Sequence, residues 1–261
     1  MKRLCNFAAV TLATIAIVAG LPARAAEPAA EANDTINPKA MDALKTMGAY
    51  LRTLKVFQVE AATLDEDVLD SGLKIQYEGT TSLLAQAPAH LRVQVVNERH
   101  ERRYFFDGKN FTLYAPRLKA YVTVPAPATI KELNEKLEDE HGITLPLVDL
   151  FRWGTSDDGT DAITTALDIG PSAIAGTTCE HYAFRQADAD WQVWIQMGDY
   201  PLPRKLVITT LTDEARPQHS VTYTWNLAPS FNDAAFTFDP PADVGKVSLA
   251  AARQALEEAR K

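Results

Sequence analysis

The sequence is short of cysteine and of positive charge, and each shortage closes a class of function. Its 261 residues include two cysteines, Cys5 and Cys179, where a disulfide-stapled scaffold would need several pairs. Lys and Arg number 26 against 34 Asp and Glu, a formal net charge of -8, so a phosphate backbone would be repelled and no nucleic-acid partner is expected. Catalytic signatures are missing too: there is no Gly-x-Ser-x-Gly elbow, Walker loop, dinucleotide glycine fingerprint or His-Glu-x-x-His. His90, His100, His141, His181 and His219 are scattered over separate elements, and Ser156-Asp157-Asp158-Gly159 lacks the spacing and closing Glu of an EF-hand. The chain is therefore not expected to be an enzyme, and no cofactor or metal is expected.

What remains is ordinary globular material, 46% hydrophobic and 23% charged, long enough to bury a large core without staples. It is preceded by an address. Met1-Lys2-Arg3 is positive, Phe7 to Leu21 is almost wholly apolar, and Ala23-Arg24-Ala25 offers small residues for signal peptidase. The apolar run is about 15 residues, short of the ~20 that span a bilayer. Residues 1–25 thus read as a signal peptide and 26–36 as a flexible tether. A single domain over 37–247 and a C-terminal helix or tail over 248–261 complete the division. Cleavage removes Lys2, Arg3 and Arg24 but no acid, taking the charge to -11. The mature protein is expected to be periplasmic, soluble and not integral to a membrane. Cys5 leaves with the signal, and Cys179 is expected to be a buried small hydrophobe rather than a reactive thiol or a metal ligand with His181.

Helices are punctuated clearly. Asn37 caps a first helix with Pro38 at its opening position, Ile36 is placed to staple onto Met41, and Met41, Leu44, Gly48, Leu51 and Leu54 recur on one face. Thr129 and Glu132 form a capping box for a second helix carrying Ile130, Leu133 and Leu137, and a short helical turn is expected over Leu147 to Trp153. Elsewhere the period is two. Phe57, Val59 and Ala61 alternate with polar neighbours, as do Leu73, Ile75 and Tyr77, then Leu91, Val93 and Val95. Asp107-Gly108 is the expected centre of a tight hairpin. Later strands include Trp191, Val193, Ile195 and Met197 on one face, with Trp194 outward between Gln192 and Gln196. With no long crossover between neighbours, the fold class is mainly β (α+β). About eleven antiparallel strands form a curved sheet or half-open barrel with helices over its concave face.

Several motifs resemble known families. Tyr104-Phe105-Phe106-Asp107-Gly108-Lys109 with Tyr114, and Trp225-Asn226 followed by Phe236-Thr237-Phe238-Asp239-Pro240-Pro241, are similar to stretches of LolA-type and LolB-type lipoprotein carriers. More closely, the chain resembles a bacterial family of predicted periplasmic proteins of unknown function within that superfamily. The stretches are Leu145-Pro146-Leu147 with Asp149-Leu150, Gly176 with Cys179 and His181, Asp190-Trp191-Gln192 with Trp194-Ile195, and Gly198-Asp199 leading into Pro201 to Lys205. The resemblance implies an eleven-stranded half-barrel with a helical lid over an apolar cavity. It departs at one point: LolA-type carriers place Arg before an early proline, where it helps to hold the lid, whereas here Ala87 precedes Pro88, leaving Arg92 or Arg103 to serve.

Two functions follow as expectations. The first is a binding or carrier protein for a lipid, acyl chain, lipidated partner or other hydrophobic small molecule. Its candidate lining is Phe57, Tyr77, Val93, Phe106, Leu113, Trp191, Ile195, Ile208 and Trp225. The alternative is a structural or adaptor protein with a filled barrel that meets an envelope partner through its outer surface, with Trp194 as anchor.

Overall fold

The computed structural model describes residues 35–252; the expected signal peptide, almost all of the tether and the end of the C-terminal tail lie outside the described residues. The first helix, α1 (Pro38–Thr53), begins where the sequence punctuates it, with the Asn37 side chain accepting the Lys39 N–H at 2.9 Å. Ala40, Leu44, Met47, Gly48 and Leu51 are its buried face. The expected staple is not what Ile36 contributes. It remains 45% exposed and bridges in parallel to Ala166.

Twelve strands follow: β1 (Val56–Val68), β2 (Lys74–Gln86), β3 (His90–Asn97), β4 (Glu101–Phe106), β5 (Asn110–Ala115), β6 (Ala120–Pro125), β7 (Thr165–Ile174), β8 (Thr177–Arg185), β9 (Ala189–Gln196), β10 (Pro203–Thr210), β11 (Gln218–Asn226) and β12 (Gly245–Lys246). Their order across one sheet is β12-β6-β5-β4-β3-β2-β1-β11-β10-β9-β8-β7. Eleven pair antiparallel, as short connections require. The twelfth is a two-residue parallel strand on β6. The sheet is curved and does not close, so the barrel is half-open with β7 and β12 as its edges. A register shift between Asp168 and Gly170 together with Pro171 blunts the β7 edge.

Helices α2 (Ile130–His141) and α3 (Asp149–Arg152) lie between β6 and β7 in sequence. Thr129 and Glu132 make the full capping box, and Gly142 ends α2 in the left-handed region. The Ile130 N–H donates to the Pro88 carbonyl at 2.8 Å, tying α2 to the turn between β2 and β3. The short helix after Pro146 is one turn only, shorter than the run of apolar residues around it.

The helices fill the barrel. Met47 and Leu51 of α1, Leu133 and Leu137 of α2 and Leu150 of α3 join Val59, Leu83, Val93, Phe106 and Val193 of the sheet in one cluster. Two devices bind α1 to α3 and to the turn that follows it. A Cβ on Gly48 would come within 2.5 Å of the Gly154 backbone, so the chains touch where both residues lack side chains. The Arg52 guanidinium donates to the carbonyls of Leu150 and Phe151, satisfying groups that a one-turn helix leaves open.

The arginine that ties the helices together is thus Arg52, from α1, and neither Arg92 nor Arg103 takes that part. Arg92 and Arg103 alternate with inward residues and face away from the helices. Arg92 lies over Phe105, and Arg103 pairs with Glu101 at 2.7 Å. The hairpin is also shifted by one residue. Asp107 stands immediately after β4, its carboxylate accepting the N–H groups of Lys109 and Asn110, so Gly108 and Lys109 occupy the centre and only Gly108 has positive φ.

Candidate functional site

The concave face changes character along the strands. On β1, Phe57, Val59 and Ala61 are buried, and the same parity then carries Thr63, Asp65 and Asp67 into an open groove. Neighbouring strands make the same change. Leu83 gives way to Thr81 and Tyr77 on β2, Val93 to Val95 and Asn97 on β3, Tyr104 to Arg102 on β4, and Val221 to His219 on β11. The opposite wall is the connection from Thr144 to Val148, ending in Asp149 of α3. The groove holds about 1150 Å³, slightly above the ~300–1,000 Å³ usual for ligand sites. Val95, Tyr104, Leu145 and Val148 give it an apolar floor, while most of its rim is charged or polar.

Strand register brings the charged groups together. Asp65 stands opposite both Tyr77 and His219, and its carboxylate lies 2.6 Å from His219 Nδ1. Arg99 donates to Asp67 and to the Tyr77 hydroxyl, both at 2.6 Å, with its guanidinium carbon 4.0 Å from the Tyr77 ring centre. Burial pushes the Asp149 carboxyl up, against the opposing pull of Arg152 and His219. Burial and then Asp149 itself hold the Tyr223 hydroxyl well above its ordinary value. The side chain of Arg102, the inward partner of Val95 across β3 and β4, makes no hydrogen bond or ion pair among the described residues. No group of three or more His, Cys, Asp or Glu among those residues is placed to hold a metal. The outer face carries a second hollow of about 470 Å³ over Thr80, Val96, Ser220 and Thr222, an open strand surface whose charged lining residues are Glu78 and Glu98.

Of the nine expected lining residues, Tyr77 lines the groove. Phe57, Val93, Phe106, Leu113 and Ile195 are buried in the helix-filled core. Trp191, Ile208 and Trp225 are partly buried and packed against that core. Trp191 stacks on Phe184 with ring centres 4.3 Å apart, and the Trp225 indole donates to the Pro203 carbonyl at 2.8 Å. Sequence reasoning missed Asp65, Asp67, Arg99, Arg102 and His219. The signal that reaches most of them is parity: the inward register continues past the last apolar residue of each strand, into residues read there as strand ends.

The motif residues on the outer face have packing roles. Phe238 sits among Phe105, Tyr114 and Tyr121, with ring centres 5.0–5.4 Å away. Phe236 is buried against His90 and Phe231. Trp194 stacks on His181 at 3.9 Å, with Lys205 above its ring at 5.2 Å. Cys179 is fully buried, and burial pushes its thiol up, as expected of a structural cysteine.

Comparison with known proteins places the chain. No curated protein matches it. Among solved structures, LprF from Mycobacterium bovis is 16% identical with a TM-score of 0.45, covering 80% of this chain and 99% of that one. An uncharacterized conserved protein from Thermus thermophilus is 12% identical with a TM-score of 0.45, covering 80% and 99%. The lipoprotein LppX from Mycobacterium tuberculosis is 12% identical with a TM-score of 0.38, covering 76% and 100%. Among the described residues no helix is long and apolar enough to cross a membrane. The family of predicted periplasmic proteins designated DUF2092 matches residues 40–250, nearly the whole described chain, with the curved half-open sheet its motifs imply. The chain is thus a periplasmic protein and belongs to the DUF2092 family.

Proposed function

We propose that this protein is a periplasmic binding or carrier protein that holds an amphipathic guest, a lipid, acyl chain or lipidated partner, in the groove at the open end of its concave face. The observation that carries this reading is a hollow of about 1150 Å³ whose floor is continuous with the apolar core and whose rim is polar. A chain laid over Leu69, Val95, Pro146 and Leu147, the apolar lining residues that stay partly exposed, would remove apolar surface from water at about 25 cal/mol per Å², while the rim keeps the polar end hydrated. Tyr77 would contact such a guest directly. The other eight candidate residues would do so only where α1 and α3 withdrew, against the Gly48–Gly154 contact and the Arg52 bonds. The carrier-like motifs support the same reading.

Displacement of a fluorescent fatty acid by unlabelled oleate tests it: saturable binding weakened by Leu147→Asp, at a half-exposed position of the groove wall, is expected, and no uptake of probe by the delipidated protein would overturn it. The completeness of the helix-filled core favours the second reading, an adaptor acting through its outer surface. That reading predicts no guest and a partner that is lost on altering Lys205, which covers Trp194, without loss of stability.

A further inference from the structure

We propose that the guest is an anionic amphiphile whose carboxylate or phosphate head is received by Arg102; this rests on the carrier reading above and narrows its ligand. One wall brings Arg99, His100 and Arg102 from β4 and the turn before it, and His219 faces them from β11. Three of these groups are already engaged: Arg99 holds Asp67 at 2.6 Å, His219 meets Asp65 at 2.6 Å, and His100 has an interaction of its own. Of the remaining acids, Asp70 stands in the exposed turn at the mouth, and burial biases the carboxyl of Asp149 towards its neutral form.

Arg102 is left with five donors and no ion-pair partner among the described residues, half-buried between Val95, its partner across the strands, and Tyr104, two residues on. A guanidinium offers a planar fork that matches carboxylate or phosphate oxygens in pairs. In a half-buried site that match is screened less than it would be in open water. Apolar lining begins beside it, so a head seated on Arg102 leaves its chain to run over Val95 towards Pro146 and Leu147 on the opposite wall. Position and valence together select a single anionic head with an attached hydrocarbon. A neutral ester would leave the guanidinium unanswered, and a cationic detergent would be repelled by it.

The test compares delipidated wild-type protein with Arg102→Gln and Arg102→Lys in displacement titrations using oleate, dodecyl phosphate, monoolein and dodecyltrimethylammonium, with acetate and inorganic phosphate as heads without chains. The expected result is about tenfold weaker binding of both anionic amphiphiles by Arg102→Gln, partial recovery in Arg102→Lys, unchanged monoolein binding and unchanged melting temperatures. Equal weakening for monoolein, or none for oleate, would overturn the assignment while leaving a carrier. Acetate or phosphate binding as tightly as the amphiphiles would also overturn it, because the cation would then serve a small anion. Failure of every amphiphile to bind wild-type protein would instead remove the carrier reading on which the assignment stands.

Discussion

The two ends of the concave face are built on the same strands and differ in what lies over them. At one end Phe57, Val59, Leu83, Val93 and Phe106 meet three helices, and no residue among them is more than 4% exposed. At the other the same parity carries Thr63, Asp65, Tyr77, Asn97 and Arg102, and the cover is a loop. Burial at the first end drives folding, because each large apolar side chain removed from water contributes about 1.5–3 kcal/mol. At the second end the charged groups lie near water, where ion pairs contribute about 0–1 kcal/mol. One end is thus built for stability, and the other can be altered chemically at little cost to the fold.

The sharpest way to break this contrast is to cut into the filled end. Phe106→Ala should cost about 3–5 kcal/mol, read as a shift in the denaturation midpoint with the slope unchanged. A loss below about 1 kcal/mol would mean that the core there is loose and the two ends are alike. A smaller effect comes from the outer face. Burial chiefly, with Lys205 adding to it and the Gln192 bond opposing, holds the His181 ring below its ordinary value. The folded state therefore favours the neutral ring. Its contribution is complete above the unfolded value of about 6.5 and is lost as pH falls through the lower folded value. His181→Phe should keep the stack on Trp194 and flatten the loss of melting temperature between pH 7 and 5. An unchanged slope would place the pH dependence elsewhere.

The smallest stability effect is expected in the groove. Asp67→Asn removes the Arg99 ion pair, whose two side chains are 34% and 44% exposed, and should change stability by no more than about 1 kcal/mol. It also frees a second cation, so oleate should bind more tightly. A large loss of stability with no gain in oleate affinity would make the groove a structural element.

Much of this was legible in the residues because it is local. Asn37 with Pro38 and Thr129 with Glu132 mark helix starts through hydrogen bonds made within three positions, and alternation marks strands because side chains alternate across a sheet. The Asp107 turn was legible to within one residue, since its carboxylate can satisfy N–H groups on either side of a turn centre. The groove was harder. Asp65 and His219 are 154 positions apart and meet only through the pairing of β1 with β11. The apolar strand residues were visible as a set, but whether helices fill or roof the space above them depends on the Gly48–Gly154 approach, which no periodicity encodes.

The central claim is that a guest occupies the open end of the concave face, and photo-crosslinking with a diazirine-bearing fatty acid tests it most directly. Peptide mapping of the labelled protein should place the adducts on Val95 to Tyr104 and on Leu145 to Val148. Adducts confined to the outer face around Trp194, or distributed without saturation, would contradict it.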